Sequence, residues 1–256
     1  MSMLDHLREM AEQDGASLMG VAPVERFEGA PRGHHPQDFI PRAKSVVVFG
    51  LGLLPALVNW QELMRGSEVY TDESVRKTVA QEYLYTNGAY EIPNDLLESL
   101  ALRAAMRLQG AGYRSIFFPV TYGLKFRKLI LVTEEPFAPF SHRHAAVRAG
   151  LGEFGLNNLV ITPQFGPRCR FISVITEAEL TPTPLLGEKV CLGESCSLCL
   201  QACPSGAIQP LPNMDDSAFA LSSFATTNRL ACADSGYKNF CKGVCLKSCP
   251  VGQDGW

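Results

Sequence analysis

The chain has 256 residues, 46% of them hydrophobic and 19% charged, with a formal net charge of -3 and a pI near 6.0. That length and apolar content are enough for a full core plus a smaller appendage, so the fold need not be stapled by disulfides. The slight negative charge offers phosphates no overall basic field and sets nucleic acid aside as a partner, and no apolar run nears the ~20 residues of a membrane-spanning helix.

A helix is predicted over residues 4–13, with no basic leader, apolar signal core or twin arginine before it, which points to a cytoplasmic chain. Strand-like runs follow at 18–21 and 45–50, the second running on into a loop broken by Gly50, Gly52 and Pro55. Residues 72–85 and 96–108 carry apolar positions at helical spacing, and 91–94 is expected to separate two helices as a break or cap. Strands are predicted at 115–120 and 128–133, the second equally readable as a short helix leading into the 136–139 loop, then a helix over 143–149 stopping at Gly150. Residues 159–162 and 170–176 read as two further strands joined by the turn 163–167, that is, as a hairpin. His142 and His144, two apart at the helix start, point to different faces and are expected to serve surface or capping roles. The proline-bearing stretch 180–188 precedes an abrupt shift toward Cys, Gly and Ser, so the reading is α+β: an α/β domain over 1–185 and a cysteine-rich domain over 186–256.

Eight of the nine cysteines lie between Cys191 and Cys249. In a reducing compartment such density signals metal rather than disulfides. Cys191, Cys196, Cys199 and Cys203, followed by Pro204, have the order C-x4-C-x2-C-x3-C-P; Cys232, Cys241, Cys245 and Cys249 precede Pro250. Close spacing brings thiolates onto one cubane, while the x3 step carries the last sulfur a helical turn away, toward a second cluster. By the wiring of two-cluster ferredoxins, one 4Fe-4S cluster is assigned to Cys191, Cys196, Cys199 and Cys249 and another to Cys203, Cys232, Cys241 and Cys245. Both groups depart from C-x2-C-x2-C-x3-C-P, which leaves replacement of Cys191 or Cys232 by water open. Structural zinc, which usually takes two separated C-x2-C knuckles, is the alternative. Cys169 reads as a buried, inert thiol.

The stretch HRHAAVRAGLGEFGLNNLVITPQFGPRCRFISVITEAEL, read with the cysteine groups, resembles the corrinoid-dependent reductases, that is, respiratory reductive dehalogenases and epoxyqueuosine reductases. The likeness rests on Arg148 to Gly152, Thr162-Pro163, Phe165-Gly166 and Thr176 before two cluster motifs. It implies a nitroreductase-like α/β core holding a cobalamin-type cobamide, followed by a ferredoxin-like module. Arg148, Gly150, Leu151, Gly152, Asn158, Thr162 and Gly166 would contact the cofactor, Tyr122 would be the proton donor, and Arg168 and Arg170 would flank the pocket. Tyr83, Tyr85 and Tyr90 compete with Tyr122. On the residues alone, the glycines equally cap a helix and pack a hairpin, and the arginines equally form salt bridges.

Three departures bear on function. The aspartate that epoxyqueuosine reductases carry before the Arg-Ala-Gly turn is missing from EEPFAPFSHRHAAV, the chain ends seven residues after Cys249 without a repeat domain, and no twin-arginine leader is seen. The expectation is a cytoplasmic, corrinoid-dependent oxidoreductase, fed by an external low-potential electron donor, that passes electrons from its clusters to a cobamide and a small-molecule substrate. The alternative is a non-catalytic electron carrier or corrinoid handler.

Overall fold

The computed structural model describes residues 2–121, 138–210, 225–238 and 241–253. The chain divides into two compact units of three stretches each: Met1–Leu51, Asn94–Leu151 and Arg170–Leu185 in the first, and Gly52–Pro93, Gly152–Cys169 and Leu186–Trp256 in the second. The junction between Leu185 and Leu186 lies at the composition shift, but 52–93 and 152–169 group with the cysteine-bearing residues.

The first unit is built on a sheet of order β1-β2-β6-β3, from β1 (Leu18–Pro23), β2 (Ser45–Gly52), β6 (Cys169–Thr176) and β3 (Ser115–Phe117). β1 runs antiparallel to β2 with Leu18 opposite Gly50, and β3 antiparallel to β6 with Ser115 opposite Thr176. Val46, Val47, Val48 and Phe49 are wholly buried, as a strand covered on both faces requires. The helix Met3–Gln13 starts at a capping box in which Ser2 accepts from the Asp5 N–H and the Asp5 carboxylate accepts from the Ser2 N–H. It buries Leu7 and Ala11 beside Leu97, Leu100, Ala101, Ala104 and Leu108 of the helix Ile92–Gly110, whose spacing sets one apolar stripe toward Val21, Val47, Phe49, Ile172 and Val174.

The second unit has its own core of Leu53, Val58, Trp60, Ala80, Tyr85 and Ala89. It contains the antiparallel pairs β4 (Glu153–Phe154) with β5 (Val160–Ile161), and β7 (Ile208–Pro210) with β8 (Ala225–Thr227).

Two predicted features are corrected. Residues 91–94 are no break: the α-helix Glu73–Val79 passes into a π-helix, Ala80–Glu91, and then directly into Ile92–Gly110. Proline is tolerated in a first helical turn, and here it falls where the hydrogen-bond phase changes from π to α. Nor do 159–162 and 170–176 form a hairpin. β5 pairs with β4, while β6 lies between β2 and β3, with Phe171 through Thr176 all buried as an interior strand must be. The strand predicted at 128–133 lies outside the described residues. No helix among the described residues is long and apolar enough to cross a membrane.

Candidate cysteine-rich site

The two cysteine groups repeat one backbone device. After Cys196 the chain turns through Ser197, at φ 51°, into the short helix Leu198–Gln201, which carries Cys199; after Cys241 it turns through Gly243, at φ 81°, into Val244–Lys247, which carries Cys245. Each helix runs out just before a Cys-Pro step, and the two helices pack against each other. Trp60 fixes the second turn by donating its indole N–H to the Lys242 carbonyl at 2.8 Å. Lys242 in turn donates to Glu82 at 3.0 Å and Thr86 at 3.3 Å on the π-helix, and the Tyr85 ring fills the space beside Gly243.

Repulsion links the thiols to one another, most of it within two neighbouring sets but with Cys199 also acting on Cys245. Burial pushes Cys199 up to about 11, and repulsion from Cys191 and Cys249 adds to it. Burial also raises Cys249, the Val251 N–H and the Arg168 cation oppose the rise, and Cys191 and Cys196 reinforce it. In the other set, burial and then repulsion from Cys232, Cys199 and Cys203 push Cys245 up to about 12. Cys232, an exposed residue with a partly shielded sulfur, is raised by burial and then by Cys241 and Cys203. Cys203 behaves differently. Burial acts to raise it, but hydrogen bonds from the Ser205 hydroxyl and from the N–H groups of Ala207, Ser205 and Ile208 outweigh burial and lower it. Such thiols gain by giving up protons to a metal, which relieves the repulsion and the unfavourable burial of separate charges.

Cys191, Cys196, Cys199 and Cys249 border an open cleft whose remaining walls include Leu156, Asn157, Ile161 and Val251. Among the described residues no three His, Cys, Asp or Glu side chains converge as donors to a single metal ion would.

The residues expected to hold a cobamide have other occupations. In the first unit, Arg148 is buried, donates from Nε to the Arg26 carbonyl at 2.6 Å and stacks over Phe27 at 5.5 Å. Gly150, at φ 74°, lies so close to the Pro184 carbonyl that a Cβ would stand 2.0 Å from it, and Leu151 is buried. In the second unit, a Cβ on Gly152 would stand 2.4 Å from the Ile161 carbonyl, and one on Gly166 (φ 54°) 2.1 Å from that of Val251. Asn158 donates to Thr227 at 3.1 Å. The Thr162 hydroxyl donates to the Gly166 carbonyl at 3.2 Å and accepts the Phe165 N–H at 3.0 Å, closing the turn. These glycines are therefore small to let backbone approach backbone.

Arg170 donates from Nε to Asn94 at 2.7 Å, and Tyr122 lies outside the described residues. Of the competing tyrosines, Tyr83 is exposed and Tyr85 buried. Arg168 is buried, and its guanidinium donates to the carbonyls of Leu246 at 3.0 Å, Cys249 at 2.9 Å and Val251. His142 is a packing residue rather than a surface one, since its Nε2 meets the Pro119 carbonyl and its Nδ1 the Ser173 hydroxyl, each at 3.0 Å. Burial pushes it down to about 4. His144 meets the Ser141 hydroxyl at 2.7 Å at the helix cap, and burial followed by Arg148 and Arg143 pushes it to about 4. Cys169 is raised by burial to about 12 beside Thr162, as an inert thiol would be. Sequence reasoning missed Glu153, whose Oε1 accepts the N–H groups of Val190 and Cys191 at 2.5 Å each. An acid in a Gly-rich turn gives no sign of partners so far along the chain.

No protein-family model matches the chain. The tetrachloroethene reductive dehalogenase of Desulfitobacterium hafniense is 48% identical over 66 residues, which are 25% of this chain and 12% of that protein. That of Sulfurospirillum multivorans is 40% identical over 68 residues, 26% of this chain and 14% of its own. The chain thus matches only a small part of these relatives' length. The solved epoxyqueuosine reductase from Streptococcus thermophilus aligns over 99% of this chain and 67% of its own, with a TM-score of 0.59 at 16% identity. A catabolic reductive dehalogenase in complex with 3-bromo-4-hydroxybenzoic acid aligns over 96% of this chain and 31% of its own, with a TM-score of 0.59 at 16% identity. The chain shares the mixed α/β fold common to these reductases, as its motifs imply. A further epoxyqueuosine reductase of this fold, with a TM-score of 0.58 and 17% identity, is bound to a modified tRNA-Tyr stem loop. That overturns the expectation against nucleic acid. Net charge averages the whole surface, whereas an RNA site needs only a local field.

Proposed function

We propose that the chain is an iron-sulfur oxidoreductase in which two 4Fe-4S clusters in the second unit pass single electrons to a small-molecule acceptor. The observation that carries this reading is the repeated turn-and-helix segment of each cysteine group, the two helices packed together, with Cys249 of the second group bordering the same cleft as Cys191, Cys196 and Cys199 of the first. Cys191, Cys196, Cys199 and Cys249 would hold one cluster around the bordered cleft, and Cys203, Cys232, Cys241 and Cys245 the other. Bound clusters would supply reversible one-electron storage. The polypeptide's part is to bury the thiols, direct N–H groups at Cys203 and Cys249, and fix the two left-handed turns that aim Cys199 and Cys245. Anaerobic reconstitution should yield about eight irons and eight sulfides per chain, from two cubanes of about four irons each. A value near four would remove one cluster from the account.

A similar fold occurs in a reductive dehalogenase whose structure is read as suggesting a B12-dependent mechanism. A cobamide is therefore a candidate acceptor here, with Gly150, Gly152 and Gly166 packed against the backbone of Pro184, Ile161 and Val251. The absence of the epoxyqueuosine-reductase aspartate from EEPFAPFSHRHAAV favours the second reading, a carrier without its own substrate. Cobalamin uptake by the reconstituted chain and turnover with an artificial donor separate the two: uptake and turnover support an enzyme, and full clusters without either support a carrier.

A further inference from the structure

Two buried charged side chains grip the main chain at the two ends of one proposed ligand set. Glu153, 2% exposed, accepts the N–H groups of Val190 and Cys191 at 2.5 Å each. Arg168, 4% exposed, donates to the carbonyls of Leu246, Cys249 and Val251. Cys191 and Cys249 are 58 positions apart in the sequence, and both border the same cleft. Among the described residues no carboxylate forms a salt bridge with Arg168. A buried guanidinium held by carbonyls alone keeps its positive charge without a counter-ion.

The geometry points to Arg168 and Glu153 as positioning residues that set both the placement of Cys191 and Cys249 and the reduction potential of the cluster they would share. A cubane held by four thiolates is anionic, and the one electron taken up on reduction makes it more so. A fixed cation nearby favours the reduced form and a fixed anion opposes it, with little screening in a buried site. Arg168 therefore raises the potential and Glu153 lowers it. The partners explain the residue types. Only the planar fork of arginine reaches three carbonyls at once, and only an acceptor can take two convergent N–H groups.

This inference rests on the assignment of Cys191, Cys196, Cys199 and Cys249 to one cluster. The test uses the full reconstituted chain, with the potential of each cluster followed by EPR-monitored titration and iron measured in parallel. Arg168→Gln should depress the potential of the Cys199-dependent cluster so that its reduced-to-oxidised ratio at fixed potential falls about tenfold, or 59 mV for a one-electron couple. Glu153→Gln, which keeps an acceptor oxygen and removes the charge, should move the same cluster the opposite way. Arg168→Lys should hold the potential near that of the wild type while weakening iron retention. The second cluster should shift by much less in all three. If Arg168→Gln loses iron, loss confined to the first cluster, with a smaller loss in Arg168→Lys, supports the positioning role, and equal loss from both clusters overturns it. A loaded wild type whose potentials stay put or move with the same sign in the Arg168 and Glu153 variants refutes this inference alone. A wild type that loads fewer than two clusters refutes the assignment beneath it.

Discussion

His142 carries a pH-dependence of the fold. Its ring meets the Ser173 hydroxyl and the Pro119 carbonyl at 3.0 Å each, an arrangement that suits neutral imidazole, and burial pushes it from 6.5 to about 4. Between those values the unfolded chain binds more protons than the folded one, so stability rises with pH through the window and is lost as pH falls through it. His144 adds a shift of the same sign. Each histidine contributes a slope of at most about 1.4 kcal/mol per pH unit. Replacing His142 by Gln should lessen the drop in Tm between about pH 6.5 and pH 5; an unchanged drop would remove His142 from the account. Gly166 is the other informative residue, because alanine there would take a left-handed φ costing about 1–2 kcal/mol and would press on the Val251 carbonyl. Gly166→Ala should lower Tm and weaken iron retention, whereas Cys169→Ala should leave iron content unchanged. The ligand-like cysteines were legible because cluster spacing is local in sequence. The anchoring of Cys249 by Arg168 was not, since its carbonyl partners lie 78 to 83 residues away.

At the scale of elements, the two turn-and-helix segments behave as one device. Ser197 and Gly243 occupy the same left-handed position, and the helices they start pack together. Because each thiol set draws on both segments, neither is expected to load alone. A chain truncated after Gly236 should hold neither cluster, as iron analysis would register; an intact first cluster in that truncation would mean local, uncrossed ligation. The π-helix was not legible. Its buried positions, Ala80, Gln81, Tyr85 and Ala89, include a glutamine and form no apolar stripe at α-helical spacing, so the apolar pattern does not announce the π hydrogen-bond phase. The hairpin expected from 159–162 and 170–176 failed for a related reason: alternation marks a strand but does not name its neighbour, and β6 found β2 and β3 in place of β5.

For the whole molecule, composition placed a boundary near 185, but chain order does not follow the packing. Residues 52–93 and 152–169 join the cysteine-bearing unit, bringing Trp60, Tyr85, Glu153 and Arg168 to it. Of the motifs read as a cofactor turn, Gly166 lies against the Val251 carbonyl, two residues after Cys249. The shared fold with the reductases is consistent with the resemblance, while the interleaving of the units depends on long-range contacts that one sequence does not display. The central claim, two clusters with crossed ligation, is tested most directly by the EPR spectrum of the reduced Cys249→Ser chain, set beside those of Cys199→Ala and Cys245→Ala. Crossed ligation predicts that Cys249→Ser alters the same signal as Cys199→Ala and leaves intact the one altered by Cys245→Ala. The reverse pattern would contradict it.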